Sequence, residues 1–242
     1  MNMRTGVWAG TALSLLLAGG AQATLLSRLG GQAVYDTDLD ITWLADANLA
    51  ASNTFGVSGI TDTGQMSWTT ANEWTAAMNT ANYLGYSDWR LPNAIDTGTP
   101  GCNYAYSGTD CGYNVDLSTG EMAHLYYSTL GNVGGYDTSG NLTGGACTIV
   151  PLFCLTNTGP FSNLQPAGYW SGTSDAFEPY EAWNFNFAAG FQGSFIPDLF
   201  TYAWAVRPGD SVLETPVVPV PAAAWLLGSA LGVLGALRRR AR

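Results

Sequence analysis

The sequence contains no lysine and a single histidine, His124, so zinc sites built on repeated imidazole ligands are excluded. No G-x-S-x-G string occurs, and a serine nucleophile elbow has no support. Positive charge is scarce along most of the chain. Over residues 24–221 only Arg28, Arg90 and Arg207 stand against all 18 Asp and Glu, giving 3 − 18 = −15. A body this acidic repels phosphate backbones, which argues against nucleic acid as a partner. Bulk charge also works against an anionic polysaccharide, which would need local stacking or bridging cations. The other arginines lie at the ends, as do the two conspicuous apolar runs.

At the start, Arg4 precedes an apolar run through Leu15, Leu16 and Leu17, followed by Ala21-Gln22-Ala23. This order predicts a secretory signal peptide over residues 1–23 and a mature chain from Thr24. At the other end, Ala222 to Leu237 is a run of 16 uncharged residues, ~24 Å long as a helix against a hydrocarbon core of ~30 Å. It predicts a marginal transmembrane helix whose flanking arginines stay cytoplasmic. The segment Val218–Arg242, with Pro219 and Pro221 before an Ala-rich run and Arg238, Arg239 and Arg240 after it, resembles the PEP-CTERM sorting tail. It departs from that pattern at Val220, where the namesake glutamate would stand. The resemblance implies recognition by an exosortase, transient inner-membrane association and removal of the tail near Pro219–Pro221. It also implies delivery to the cell envelope or the extracellular, biofilm-type matrix. A plain C-terminal anchor is the competing reading.

The four cysteines, Cys102, Cys111, Cys147 and Cys154, form two close pairs without C-x-x-C spacing. Behind an export signal they are expected to form disulfides, with Cys102–Cys111 and Cys147–Cys154 favoured among three formal pairings. Each would staple a short loop.

Between the terminal signals, two stretches carry a helical period. In "SWTTANEWTAAMNTANYL", Ser67 is placed as N-cap, and Trp74, Ala77, Met78 and Ala81 form an apolar stripe. In "STGEMAHLYYSTLGN", Ser118 and Glu121 have capping-box spacing and Gly131 is the stop. His124 falls beside the apolar face of this second stretch. The segments "AVYDTDLDITWLA", "YWSGTS", "AWNFNFAAGFQG" and "YAWAVRPG" read as short strands bounded by turn residues. Residues 93–120 and 131–165 read as long loops carrying the cysteines. Together these features predict an α+β domain.

"MSWTTANEWTAAMN", "GYSDWRLPN", "GEMAHLYY", "YWSGT" and "YAWAVRPG", in this order over about residues 34–210, resemble the Lcl C-terminal domain family. That resemblance implies a C-type-lectin-like fold with two helices, short antiparallel strands and a long loop region as working surface. The family is named for a collagen-like adhesin whose terminal domain binds sulfated glycans.

Asp36, Asp38 and Asp40 in "YDTDLDITW" are either a solvated turn or a calcium site; Ile41 and Ala47 exclude an EF-hand. The same string mimics the aspartate motif of haloacid-dehalogenase phosphatases, which need the lysine this chain lacks. Glu178-Pro179-Tyr180 and Trp183-Asn184-Phe185 each lack the last ligand of a lectin-type calcium triplet. Arg90 and Arg207 either pair with acids at strand edges or grip a sulfate or carboxylate. Among the aromatics near loops and strand ends, which include Trp170, Phe191 and Phe195, Tyr104, Tyr106, Tyr113 and Tyr169 are candidate ligand contacts.

The expected organisation is a signal peptide (1–23), a single domain (24–211), a linker (212–221) and a sorting tail (222–242). The expected function is non-catalytic, with no cofactor other than calcium, binding a polysaccharide, surface glycan or other surface partner. A purely structural matrix component and a carbohydrate-active envelope enzyme are the alternatives.

Overall fold

In the computed structural model, residues 24–97, 106–144, 148–149 and 152–212 are described. The signal peptide, the sorting tail with Pro219, Pro221 and Arg238–Arg240, and the residues Cys102, Tyr104 and Cys147 lie outside them. The chain divides into a unit ending at Asp210 and a second beginning at Ser211, of which only residues 211–212 are described.

The first unit is built mostly from short strands. A four-stranded antiparallel sheet contains β1 (Leu25–Arg28), β2 (Ala33–Asp36), β3 (Ile41–Leu44) and β12 (Val206–Pro208), in that order. A six-stranded sheet has the order β4-β11-β8-β9-β10-β5. Its members are β4 (Gln65–Met66), β5 (Gly112–Tyr113), β8 (Gly168–Ser174), β9 (Ala182–Asn186), β10 (Phe191–Phe195) and β11 (Thr201–Tyr202). Only β8 and β11 run parallel in it. A separate hairpin pairs β6 (Thr148–Ile149) with β7 (Leu152–Phe153).

Two helices interrupt the strands. The first, α1 (Trp68–Thr80), starts where Ser67 accepts a hydrogen bond from the Thr70 amide, and it buries Ala71, Trp74, Thr75 and Met78. The second, α2 (Glu121–His124), has only four residues and runs on into a π-turn over Leu125–Thr129. Its Ser118–Glu121 capping box does not form. Glu121 instead accepts two hydrogen bonds from Arg90 and one from the Asn93 amide.

The expectation of an α+β, C-type-lectin-like domain is therefore corrected. Helices of 13 and four residues stand beside ten strands in two sheets, and a C-type-lectin-like arrangement is not evident. The reason is local: five of the strands are two residues long, too short to carry a readable alternation. The picture of disulfide-stapled loops also changes. Cys111 and Cys154 are disulfide-bonded, but no disulfide has both cysteines among the described residues, so neither expected pairing is seen. The described loops are instead pinned by side chains, chiefly indoles. The N–H groups of Trp68, Trp74, Trp89, Trp170 and Trp204 donate to the carbonyls of Ser171, Asn53, Tyr83, Met66 and Leu44 at 2.8–3.0 Å.

The transmembrane-helix expectation is likewise corrected: among the described residues no helix is long and apolar enough to cross a membrane, and residues 222–237 lie outside them.

The core lies where the two sheets meet. Between β11 and β12 the chain passes from one sheet to the other, and Trp204 on this crossing is fully buried. Its ring lies 4.6 Å from Trp43 of β3 and 4.8 Å from Phe161. Tyr126, Tyr169, Phe185 and Phe187 extend this aromatic core.

Candidate ligand-contact surface

The edge of the six-stranded sheet at β5 and β10 carries a second, half-exposed aromatic group. Tyr113 of β5 pairs across the strands with Phe191 of β10, and their rings lie 5.2 Å apart. Phe195, four residues further along β10, shares the face of Phe191 at 6.4 Å. Beyond the edge, Tyr136 lies 4.9 Å from Tyr113, and Tyr106 lies 5.5 Å from Tyr136. Tyr106 is also nearly parallel to Tyr113, with an interplanar angle of 17°. It is the most exposed ring of the group at 41%.

One side chain brings these loops together. Asn114, in a left-handed conformation (φ 49°), donates from Nδ2 to the carbonyls of Tyr106 and Tyr136 at 3.0 and 2.8 Å. Its own amide donates to Tyr127 Oη, whose hydroxyl donates to the Gly190 carbonyl. This relay ties the tyrosine surface to the turn before β10. Burial pushes the Tyr127 phenol up to about 12, so it remains a donor throughout the physiological range. A glycine completes the seat: a Cβ on Gly140 would lie 2.8 Å from the Tyr106 ring, where φ is already +80°. The neighbouring turn is fixed by Asp137, whose carboxylate accepts the Ser139 and Asn141 amides. The Asn141 amide bond is the main cause holding Asp137 below the usual carboxylate range.

Of the sequence-predicted contacts, Tyr106 and Tyr113 come together here. Tyr169 does not: it is fully buried, accepts the Gln165 amide at 2.8 Å, and packs against Phe187 and Trp204. The arginines are engaged elsewhere. Arg90 makes a two-pronged pair with Glu121 at 2.7 and 2.8 Å. Arg207 does the same with Asp88 while lying 3.9 Å over the Tyr86 ring. Arg28 pairs with Asp210. Among the described residues every arginine thus faces a carboxylate. His124 is half-buried, its Nδ1 3.4 Å from Thr129 Oγ1.

The three aspartates of the β2–β3 turn do not converge. Asp36 is fully buried, and its Oδ1 accepts the amides of Asp38 and Leu39. Its Oδ2 is buried with no hydrogen-bond partner, and burial raises its pKa. Asp38 is exposed, and Asp40 (φ 50°) accepts from the Tyr35 hydroxyl at 2.8 Å. Among the described residues no three His, Cys, Asp or Glu side chains form a group that could hold a metal ion.

Sequence reasoning missed Tyr136, Asn114 and Gly140. A signal was present: Tyr113-Asn114 and Tyr136-Asp137 each place an aromatic directly before a turn-forming residue in a Gly-rich stretch.

The curated proteins and the solved structures contain no match to this chain. A family model, the Lcl C-terminal domain, matches residues 32–207, a span that takes in the six-stranded sheet and the tyrosine surface but begins after β1. The chain belongs to the Lcl C-terminal domain family, and this membership suggests an extracellular or surface-associated protein.

Proposed function

We propose that the chain is an exported, non-catalytic surface or matrix protein that binds a neutral, hydroxyl-rich glycan through Tyr106, Tyr113 and Tyr136. One observation carries this reading: half-exposed rings are held in a fixed group, while every described arginine is committed to a carboxylate. Aromatic faces pack against the C–H faces of sugar rings, and their hydroxyls serve as polar handles. A sulfated polymer would meet an acidic surface whose cations are already engaged.

The terminal segments supply the route. Ala21-Gln22-Ala23 supports export, and Pro219, Pro221 and Arg238–Arg240 support handover to an exosortase after transient inner-membrane association. Delivery to the envelope or matrix follows. Intact-mass analysis of the envelope form should then give a chain from Thr24 to about residues 219–221. A full-length mass would overturn this route.

Binding is tested by affinity electrophoresis of the full-length chain in gels containing neutral or sulfated polysaccharides. Retardation by a neutral polymer, lost in Tyr106→Ala/Tyr113→Ala, supports the reading. Retardation by sulfated polymers alone overturns it. No retardation on any polymer turns the reading towards a structural matrix component, and shortening of the polymer turns it towards an enzyme.

A further inference from the structure

Tyr113 pairs with Phe191 at the start of β10, and two other loops set out together from its far end. Ser174 and Phe195 both pair with Ala182, which places the loop from β8 to β9 (residues 175–181) beside the one leaving β10 (residues 196–200). The first carries Phe177-Glu178-Pro179-Tyr180, and the second Ile196-Pro197-Asp198-Leu199-Phe200. All of these except Pro197 are exposed. Tyr180 is 82% and Ile196 61% exposed, so neither side chain serves the protein's own packing. Single exposed apolar residues are ordinary, whereas five large ones on adjoining loops mark an interaction surface.

The side chains are open, but the backbone beneath them is fixed. The buried Asp175 accepts the Phe177 and Glu178 amides on Oδ1 at 2.8 and 3.0 Å. The Glu181 amide closes that turn on the Glu178 carbonyl at 2.7 Å, and Glu181 Oε2 accepts from the Ser194 hydroxyl. In the second loop the Leu199 amide donates to the Ile196 carbonyl at 3.0 Å. The Pro197 carbonyl accepts from the amide of Trp68, the first residue of α1, at 2.9 Å. Loops held in this way lose little freedom when a partner binds.

Charge selects the partner. The chain has no lysine, and Arg28, Arg90 and Arg207 face Asp210, Glu121 and Asp88. Glu178 and Asp198 therefore stand among apolar side chains with no arginine partner among the described residues. An acidic surface of this kind repels a second copy of itself and a layer of anionic headgroups. It complements a segment in which Lys or Arg alternates with apolar residues.

We propose that these two loops form a docking surface for a cationic, amphipathic polypeptide segment of another protein. Phe177, Tyr180, Ile196, Leu199 and Phe200 receive its apolar side chains, and Glu178 and Asp198 its ammonium or guanidinium groups. The open rings also offer faces on which such cations rest. The surface uses none of Tyr106, Tyr113 and Tyr136, and its test involves no polysaccharide, so either proposal can fail alone.

The test is fluorescence anisotropy of a dye-labelled amphipathic Lys/Leu peptide titrated with the full-length chain. Lys/Ser and Glu/Leu peptides of the same length and phosphatidylcholine vesicles run alongside. Saturable binding of the Lys/Leu peptide is expected, at least about tenfold tighter than that of either control peptide. Tyr180→Ser/Phe200→Ser should weaken it at least about tenfold. Glu178→Gln/Asp198→Asn should weaken it about threefold or more and flatten its salt dependence. All four side chains are exposed, so both variants should keep the parent's denaturation midpoint. Tyr106→Ala/Tyr113→Ala should bind the peptide as the parent does. Absence of saturable binding, equal binding of either control peptide, or undiminished binding in either loop variant overturns the proposal. Vesicle binding that is lost in Tyr180→Ser/Phe200→Ser assigns the loops to lipid and overturns it as well.

Discussion

The tryptophans around the sheet junction and the tyrosines at the β5 edge are both large aromatics with one polar handle, yet they are used differently. Trp43, Trp74, Trp170 and Trp204 are fully buried, and all but Trp43 donate their N–H to a backbone carbonyl. Trp43 Nε1 is buried with no partner, an exception that such cores rarely tolerate. At the edge, Tyr106, Tyr113 and Tyr136 contact one another with part of each ring left open, and Asn114 holds them by backbone atoms alone. The difference teaches where binding capacity resides. A ring spent on both packing and hydrogen bonding has nothing left for a ligand, whereas a ring positioned through its neighbours' backbone keeps its face and hydroxyl.

The contrast can be broken at several depths. Trp204→Ala removes a ring packed on Trp43 and Phe161 and orphans the Leu44 carbonyl. A loss of about 3–5 kcal/mol is expected, read as a lowered denaturation midpoint. Tyr127→Phe acts at the joint between the two regions, since one hydroxyl serves both the Asn114 amide and the Gly190 carbonyl. It should cost about 1–3 kcal/mol and weaken glycan binding as well, which a core substitution that leaves the fold intact would not do. Tyr106→Ala removes an exposed ring and should change stability by no more than about 0.5 kcal/mol, seen as a nearly unmoved midpoint.

A pH series separates two kinds of carboxylate. Asp36, raised by burial, binds its proton more tightly in the folded state than in the unfolded one. Stability from this group is therefore lost as pH rises from about 3.8 through its raised pKa, and is flat above it. Asp137, held low by amide bonds, has the opposite sign: its contribution is present at neutral pH and lost as pH falls. Comparing parent and Asp36→Asn midpoints across the acid range should isolate the first slope. Identical slopes in the two proteins would contradict the assignment.

Much of this organisation was legible in the sequence where a strong local signal existed. Ser67 caps α1 as expected, Trp74 and Met78 face the core, and Gly131 takes a left-handed conformation after the π-turn. The strands containing Trp43, Trp170, Phe185 and Val206 were visible from their aromatic and β-branched runs. The fold class was not, because β4, β5, β6, β7 and β11 are two residues each and too short to show a period. The capping box at Ser118 failed for a tertiary reason: the Arg90 guanidinium competes for Glu121. The reading of Arg90 and Arg207 as strand-edge ion pairs matches their partners, Glu121 and Asp88. Tyr106 and Tyr113 were legible as loop aromatics, but their convergence with Tyr136 depends on Asn114 reaching two separate segments. No spacing rule reveals that reach.

The most direct measurement is the affinity of the Tyr106→Ala/Tyr113→Ala chain for a neutral polysaccharide that the parent binds, made alongside its denaturation midpoint. Ligand contact through these rings requires a loss of at least about tenfold, equivalent to ~1.4 kcal/mol, with the fold intact. Unchanged affinity in a folded variant would place recognition elsewhere and contradict the account.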